Sequence, residues 1–491
     1  MRWLDLAIIV LYLVAITWFG ARFRKGQHSL KDYFLGGRGA PWWAIALSIV
    51  SAETSTLTVI GTPPLSFSGN FAFLQLVMGY LLARLVISAL FLPAYFRGEM
   101  FTAYELMRVR FGARIRRLAA GTFLLLRALA EGVRVFAISI VISVVLGTGE
   151  MVSIAVILCL TLVYTYEGGM TAVIWTDVVQ MFLYVTGAAI SLAGILREIP
   201  GGWAHVVALA APLGKFQVLD FRLAPPHEFF ARPYSFWAGI LGGCFLTTAS
   251  HGTEQLMVQR LLAARDERSS RAALLGSWVA VFALFTLFLI VGVCLFVWYS
   301  DRRLPAPAVM DSIYPRFVWE QLPHGVSGLV IAAILAAAMS NLSAALNSLA
   351  TTTIMDFARP LSGAGPGAGA GAGASDAVWL KRARQATLGW GAVLFAIALL
   401  ARGWGSVLQA GLSIASILYG SLLGVFLLGL LTKRVGENAA MCGMIAGLAL
   451  MLYVRFATSI AFTWYVLIGT LATTAVGIIA SFLTEERRDA S

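Results

Sequence analysis

The sequence predicts an all-α polytopic membrane protein of about thirteen transmembrane helices, with the N-terminus outside and the C-terminus inside. Two five-helix units, spans 2–6 and 7–11, form an inverted repeat in this reading. Three observations predict it. The chain of 491 residues is 59% hydrophobic and only 12% charged, with apolar stretches of spanning length along nearly its whole course. Two of those stretches are interrupted by polar runs, five spans apart. Lys and Arg gather in alternate loops.

The apolar stretches fall at 3–22, 42–62, 72–96, 116–147, 150–166, 172–197, 236–260, 271–299, 326–356, 384–402, 407–431, 438–456 and 460–483. No stretch between them is long enough for an ordinary soluble domain, so 1–491 reads as a single membrane domain. The first span has almost no basic residues before it and no small-residue cleavage site. It reads as a retained helix rather than a signal peptide.

The polar run Ser51 to Thr58 lies inside the second span, followed by Gly61, Pro63 and Pro64. Hydrocarbon offers no water to polar groups, so such a run survives only where it faces a protein cavity or a bound ion. A break there frees carbonyl oxygens as ligands. The run Thr247 to Gln255 interrupts the seventh span in the same way. Paired breaks at matching places in two halves point to a transporter with its site at mid-membrane depth.

Residues 101–117 read as an interfacial cytoplasmic helix, apolar on one side and Arg-rich on the other. The external segment 198–235 is amphipathic and Pro-containing, suited to a short lid helix. Residues 363–374, alternating Gly and Ala with one Pro, read as a flexible cytoplasmic linker.

The formal charge of +12 could suggest nucleic acid, but its distribution does not. With the N-terminus outside, about 23 of the 36 Lys/Arg lie in cytoplasmic loops and about 10 outside. Positive-inside topology accounts for the charge, and nucleic acid is excluded as a partner. No obligatory protein partner is evident. The four cysteines fall within spans without paired spacing, so neither a disulfide framework nor a cysteine metal site is implied.

Several strings, in order along nearly the whole chain, resemble the sodium:solute symporter family: YFLGGR (Tyr33 to Arg38), FTAYELMRVRFG (Phe101 to Gly112), YEGGMTAVIWTDVVQ (Tyr166 to Gln180), HGTEQLMVQRLLAA (His251 to Ala264), MSNLSAALNSLATTTIMDF (Met339 to Phe357) and FLLGLLTKR (Phe426 to Arg434). The resemblance implies a LeuT-type fold and secondary active transport driven by sodium. It is a multi-pass protein of the plasma membrane in this reading, and composition suggests a bacterial inner membrane.

The resemblance also implies an ion site between the second and ninth spans. Its matching positions here are the carbonyls of Ser51, Thr54 and Ala337 and the side chains of Ser340 and Asn341. Neutral oxygens let a hard cation leave as well as bind. Asn341 departs from the family's usual Ser or Thr, although an amide oxygen can still coordinate. The plainer reading of Ser340 and Asn341 is a helix–helix hydrogen bond. Asn341 also matches a glycosylation sequon, a reading set aside because the position is buried in the membrane. Asp177 costs about 2.5–3.5 kcal/mol near a helix centre unless compensated. It matches an acidic position used by some members for a second sodium; a structural hydrogen bond or a place near the cytoplasmic exit are the alternatives.

For the solute, the resemblance puts the pocket among the second, third, fourth, seventh and eleventh spans. Candidates are Glu53, Ser55 and Thr58; Phe71 and Gln75; Arg127 and Arg134; His251, Glu254 and Gln255; Gln409 and Ser413. Glu131 can pair with both arginines at i, i+4 and i, i+3, the bland reading. One positive charge is then left over, which favours a carboxylate through bidentate recognition. Relatives that carry sialic acid resemble this pattern. The leading expectation is therefore an acidic sugar or another organic carboxylate, with a neutral sugar or amino acid as the alternative. His251 is either a hydrogen-bonding group or a proton-sensitive one.

An intramembrane enzyme lacks support: His227-Glu228 has no second histidine at metalloprotease spacing. A channel would need a continuous polar path, whereas the polar residues are concentrated at two spots. No signalling domain is attached that would make the chain a sensor.

Overall fold

In the computed structural model the described residues are 2–22, 34–54, 56–97, 100–361, 376–403 and 407–483, and their secondary structure is helical apart from one isolated bridge between Ala40 and Ala264. Ser55 and the 363–374 segment lie outside the described residues. Among the described residues nine helices are long and apolar enough to cross a membrane, and a tenth if one bent pair counts as a span. The three remaining predicted spans are helical but differ in kind. One carries Arg127, Glu131 and Arg134, one is the short apolar stretch Glu150–Val163, and one is interrupted.

The first helix, α1 (Trp3–Ala21), leads to the bent pair α2 (Trp42–Glu53) and α3 (Thr56–Ser68). Thr54 leaves the helical region at φ −83°, ψ 79°, and the bend is 59°. Pro63 and Pro64 inside α3 remove two backbone donors close to the break. Next, α4 (Leu74–Val86) passes through a π-helical turn, Ile87–Phe91, and ends at Tyr95. The expected interfacial helix is shorter than the sequence suggested. It is α5 (Ala103–Arg110), and a separate helix, α6 (Ala113–Leu146), starts after Gly112. Gly112 sits at φ 142°, which stops helix propagation, and a Cβ there would meet the Glu437 carboxylate at 2.6 Å. That carboxylate accepts from the Arg114 and Ile115 amides at 2.7 and 3.1 Å, capping α6 where its N–H groups are unsatisfied.

The backbone is then helical from Glu150 to Glu198 in α7, 49 residues that carry both the fifth and sixth predicted spans. After it, α8 (Gly202–Ala210) and the single-turn α9 (Pro226–Ala231) fall in the segment expected to carry a lid helix. The second interruption separates α10 (Phe236–Gly252) from α11 (Gln255–Leu262), with Thr253 and Glu254 off helical geometry. The rest is α12 (Glu267–Asp301), α13 (Ile313–Gln321), α14 (Val326–Thr352), α15 (Asp376–Leu400), α16 (Val407–Leu431), α17 (Glu437–Ala457) and α18 (Phe462–Leu483).

Two packing facts position the site. First, α14 is buried on every face, among α1, α2, α3, α6, α7 and α15, as its run of Ala and small polar residues allows. Its N-terminus is capped by Asp5 of α1, which accepts from the Gly325 and Gly328 amides at 2.6 and 2.8 Å. Second, α4 and α10 approach at backbone distance. A Cβ on Gly243 would lie 2.1 Å from the Leu76 carbonyl oxygen, and one on Gly79 would lie 2.4 Å from that of Ile240. The break in α2–α3 therefore faces α14, while α10 is held against α4.

Candidate functional site

On the side of the first break that faces α14, the groups are neutral. Ser51 Oγ lies 2.9 Å from Ser340 Oγ, and Asn341 Nδ2 donates to the Ala52 carbonyl at 2.5 Å. Ala337 is buried one turn before Ser340. Ser51 and Ala52 sit where the broken helix gives up its own carbonyl bonding, opposite Ala337, Ser340 and Asn341 of the unbroken α14, and free carbonyls at a break are what a cation site needs. Tyr184 of α7 brings its buried hydroxyl within side-chain reach of both Thr54 and Ser51 on this side of the break. Tyr184 carried no signal in the sequence; only the rotation of α7 reveals it.

Asp177 is fully buried and has three donors. Ser340 and Ser48 donate their hydroxyls, the latter at 2.5 Å, and Arg260 donates at 2.9 Å. Arg260 also donates to Ser48 Oγ at 2.9 Å. The charge of Asp177 is thus compensated by Arg260, at the end of the seventh predicted span. Ser340 connects this network to the first break.

The solute candidates divide into two groups. In the first, Arg127 of α6 donates to Glu131 at 3.0 Å, to Glu254 at 3.0 Å and to Asn341 Oδ1 at 2.9 Å. Arg134 donates to Glu131 at 3.0 Å and to Asn341 Oδ1 at 3.4 Å. Tyr419 of α16 donates to Glu254. The surplus positive charge expected from Arg127, Glu131 and Arg134 is therefore corrected: Glu254, at the second break, pairs with Arg127 and makes the cluster neutral. A residue 127 positions away cancelled a charge that local spacing left over.

A second ion-paired group bridges the two breaks. Glu53, at the end of α2, pairs with Arg84 of α4 at 2.5 Å and lies 3.4 Å from His251 Nε2, at the end of α10. His251 Nδ1 is 2.8 Å from Ser250 Oγ, and Arg84 also donates to Ser277 at 3.2 Å. An arginine inside a span demands a partner, so Arg84 was findable from sequence, although Glu53 was not singled out as that partner.

Three candidates are engaged elsewhere. Gln75 donates to the Tyr234 and Ala72 carbonyls at 2.8 and 3.1 Å and accepts from the Asp220 amide at 3.0 Å, so it braces the outer segment. Phe71 packs edge-on against Phe216 of that segment, with centroids 5.5 Å apart. Gln255 accepts from the Ala103 amide at 2.8 Å and donates to the Phe101 carbonyl at 3.0 Å, tying α11 to the start of α5. Of the others, Thr58 is buried on α3 and Ser413 is half-buried on α16; Gln409 is helical, but its side chain lies outside the described part. An apolar crevice of about 650 Å³ lies away from all these groups, between α1 and α6, α7 and α14, and its lining of Ile9, Leu13, Ile142, Leu335 and similar residues offers a polar solute nothing to orient it.

Comparison with known proteins gives the family and the fold. The family model of the sodium:solute symporter family matches residues 33–447. The chain is 26% identical to the sodium/sialic acid symporter SiaT of Proteus mirabilis over 492 residues, 97% of this chain and 95% of that one. It is 28% identical to the sodium/iodide cotransporter of Homo sapiens over 468 residues, 93% of this chain and 70% of that one. The solved substrate-bound, outward-open state of a sodium-coupled sialic acid symporter superposes with a TM-score of 0.86 at 26% identity, covering 98% of each chain. A closed transporter of the nucleobase-cation-symport-1 family, at 12% identity and a TM-score of 0.61, shares the fold. The chain belongs to the sodium:solute symporter family.

Proposed function

We propose that this protein imports an organic anion together with sodium by alternating access, with a sialic acid or similar acidic sugar as the leading solute. One observation carries the coupling. Around the two breaks, Arg84, Arg127, Arg134 and Arg260 are matched by Glu53, Glu131, Glu254 and Asp177. A carboxylate entering this balanced, buried set brings an unpaired charge, which costs several kcal/mol unless compensated. A sodium ion arriving with it restores neutrality. Anion and cation therefore favour each other's binding, and linkage makes that preference mutual.

The anion reading is supported by the relatives' solutes as well. The names of the similar proteins include the anions sialic acid, iodide and monocarboxylate, alongside multivitamin transporters. The sodium site we propose uses the Ser51, Thr54 and Ala337 carbonyls with Ser340 and Asn341. Asp177, next to Ser340, is the place for a second ion. The solute reaches Arg127 and Arg134 between the two breaks, with Glu53, Thr58, His251 and Ser413 on the surrounding elements; Ser55 and Gln409 belong to the same proposal. Thirteen spans, two inverted five-helix units and an outside N-terminus complete the reading, in a bacterial inner membrane. The Gly/Ala segment 363–374 is its cytoplasmic linker.

The neutral-solute alternative draws support from the same charge balance, since each of these four arginines has a carboxylate partner. Uptake of labelled N-acetylneuraminate into proteoliposomes decides between them. An inward sodium gradient should drive accumulation that choline does not, and a neutral sugar should not compete. One sodium per anion moves no net charge, so a current would require a second sodium; each extra charge is worth about 2.3 kcal/mol per 100 mV.

A further inference from the structure

We infer that Asn341 couples the two ligands by exchanging its amide oxygen between Arg127 and sodium. The inference rests on the sodium-site reading above. The amide's orientation is fixed by its neighbours: Nδ2 donates to the Ala52 carbonyl at 2.5 Å, and Oδ1 accepts from Arg127 Nη2 at 2.9 Å and Arg134 Nη1 at 3.4 Å. The reverse orientation would set oxygen against oxygen on one side and NH₂ against two guanidinium groups on the other. Oδ1 is the atom that would ligate the ion, and both its lone pairs are directed at cations. Two lone pairs cannot serve a sodium ion and two guanidinium groups at once, so an ion that takes Oδ1 displaces an arginine, and the exchange inferred here is with Arg127.

Displacement has a definite consequence for Arg127. Its Nε is buried and has no hydrogen-bond partner among the described residues, while Nη2 donates to both Glu131 and Asn341, so loss of the amide frees one of the two Nη2 N–H groups and leaves the other with Glu131. Nε and Nη2 together form the planar two-donor edge that binds a carboxylate bidentately. Glu131 and Glu254 still hold Arg127 in place at 3.0 Å each. Sodium binding thus turns an arginine occupied by an internal amide into one that presents a carboxylate site. A serine at 341 could ligand an ion but is too short to reach the guanidinium, so this chain's amide adds a link that a hydroxyl does not provide.

The exchange is readable without any solute. Infrared difference spectra, sodium minus choline, are recorded on the full-length protein in proteoliposomes, with and without guanidino-¹⁵N arginine. The wild type should give a sodium-induced arginine band that moves with the label. Asn341→Ser should lose that band while keeping sodium-dependent thermal stabilisation. Sodium stabilisation of the wild type without a label-sensitive band overturns the exchange and leaves the ion site standing. Absence of sodium stabilisation in the wild type overturns the ion site, and the exchange with it. A second arm uses N-acetylneuraminate: sodium should tighten its binding at least about fivefold in the wild type. In Asn341→Ser the enhancement should fall below about twofold, through a gain in sodium-free affinity. Full enhancement in Asn341→Ser overturns the proposal.

Discussion

At the first break, the groups turned toward α14 are a hydroxyl and carbonyls: Ser51 meets Ser340, and the Ala52 carbonyl meets Asn341. At the second, the group turned toward α6 is a carboxylate: Glu254 meets Arg127 and Tyr419. The two interruptions look alike in sequence, as short polar runs in apolar spans, yet they do different physical work. Neutral oxygens bind a hard cation weakly enough to release it. A buried ion pair cannot be opened without cost, so Glu254 and Arg127 define a frame that stays assembled while ligands come and go. They meet through Asn341, which touches both the first break and Arg127.

This contrast can be broken in four ways. The largest effect is expected at Arg127→Met, which leaves Glu131 and Glu254 buried without that cation. It should cost about 3–5 kcal/mol of stability and abolish uptake, read by thermal unfolding and proteoliposome flux. Retained stability would mean that the second break is not built on charge. Asp177→Asn comes next, because Arg260 then loses its only carboxylate shown here. We expect a stability loss of about 3 kcal/mol, recovered in part when Arg260 is also replaced by Gln, and a full recovery would leave Asp177 no role beyond pairing.

Ser340→Ala tests the neutral side. It removes one oxygen from the ion set and should weaken sodium-dependent stabilisation about tenfold, equivalent to about 1.4 kcal/mol, with a parallel loss of solute affinity. An unchanged sodium titration would remove Ser340 from the site. The smallest effect is predicted for Gln75→Ala. Its bonds go to the outer segment, so stability should fall by about 1–2 kcal/mol while the half-saturating solute concentration changes by less than about threefold. A collapse of solute affinity would return Gln75 to the pocket.

Much of the architecture was legible in the sequence because lipid tolerates so little. A polar run such as Ser51 to Thr58, an isolated Asp177 or an Arg84 within an apolar span must be satisfied by something, and each marks a functional or paired position. The Pro63-Pro64 step announced a bend, whereas the restart at Gly112 is not legible in 101–117, which reads as one helix. Pairings were not legible. Glu254 lies 127 residues from Arg127 and 165 from Tyr419, and which carboxylate reaches which arginine depends on helix rotation and crossing that no local spacing encodes. Gln75 and Gln255 are polar residues in suitable spans, but nearby loops claim them first. Local spacing within α6 found Glu131 and overlooked the second carboxylate.

The most direct test of the central claim, that a carboxylate and sodium bind together in a charge-balanced site, compares N-acetylneuraminate with its methyl ester. Thermal stabilisation of the purified protein is measured for each in sodium and in choline. The account predicts that the acid stabilises the protein several-fold more strongly in sodium than in choline, and that the ester does so in neither salt. Equal stabilisation by acid and ester, or by the acid in sodium and in choline, would contradict it.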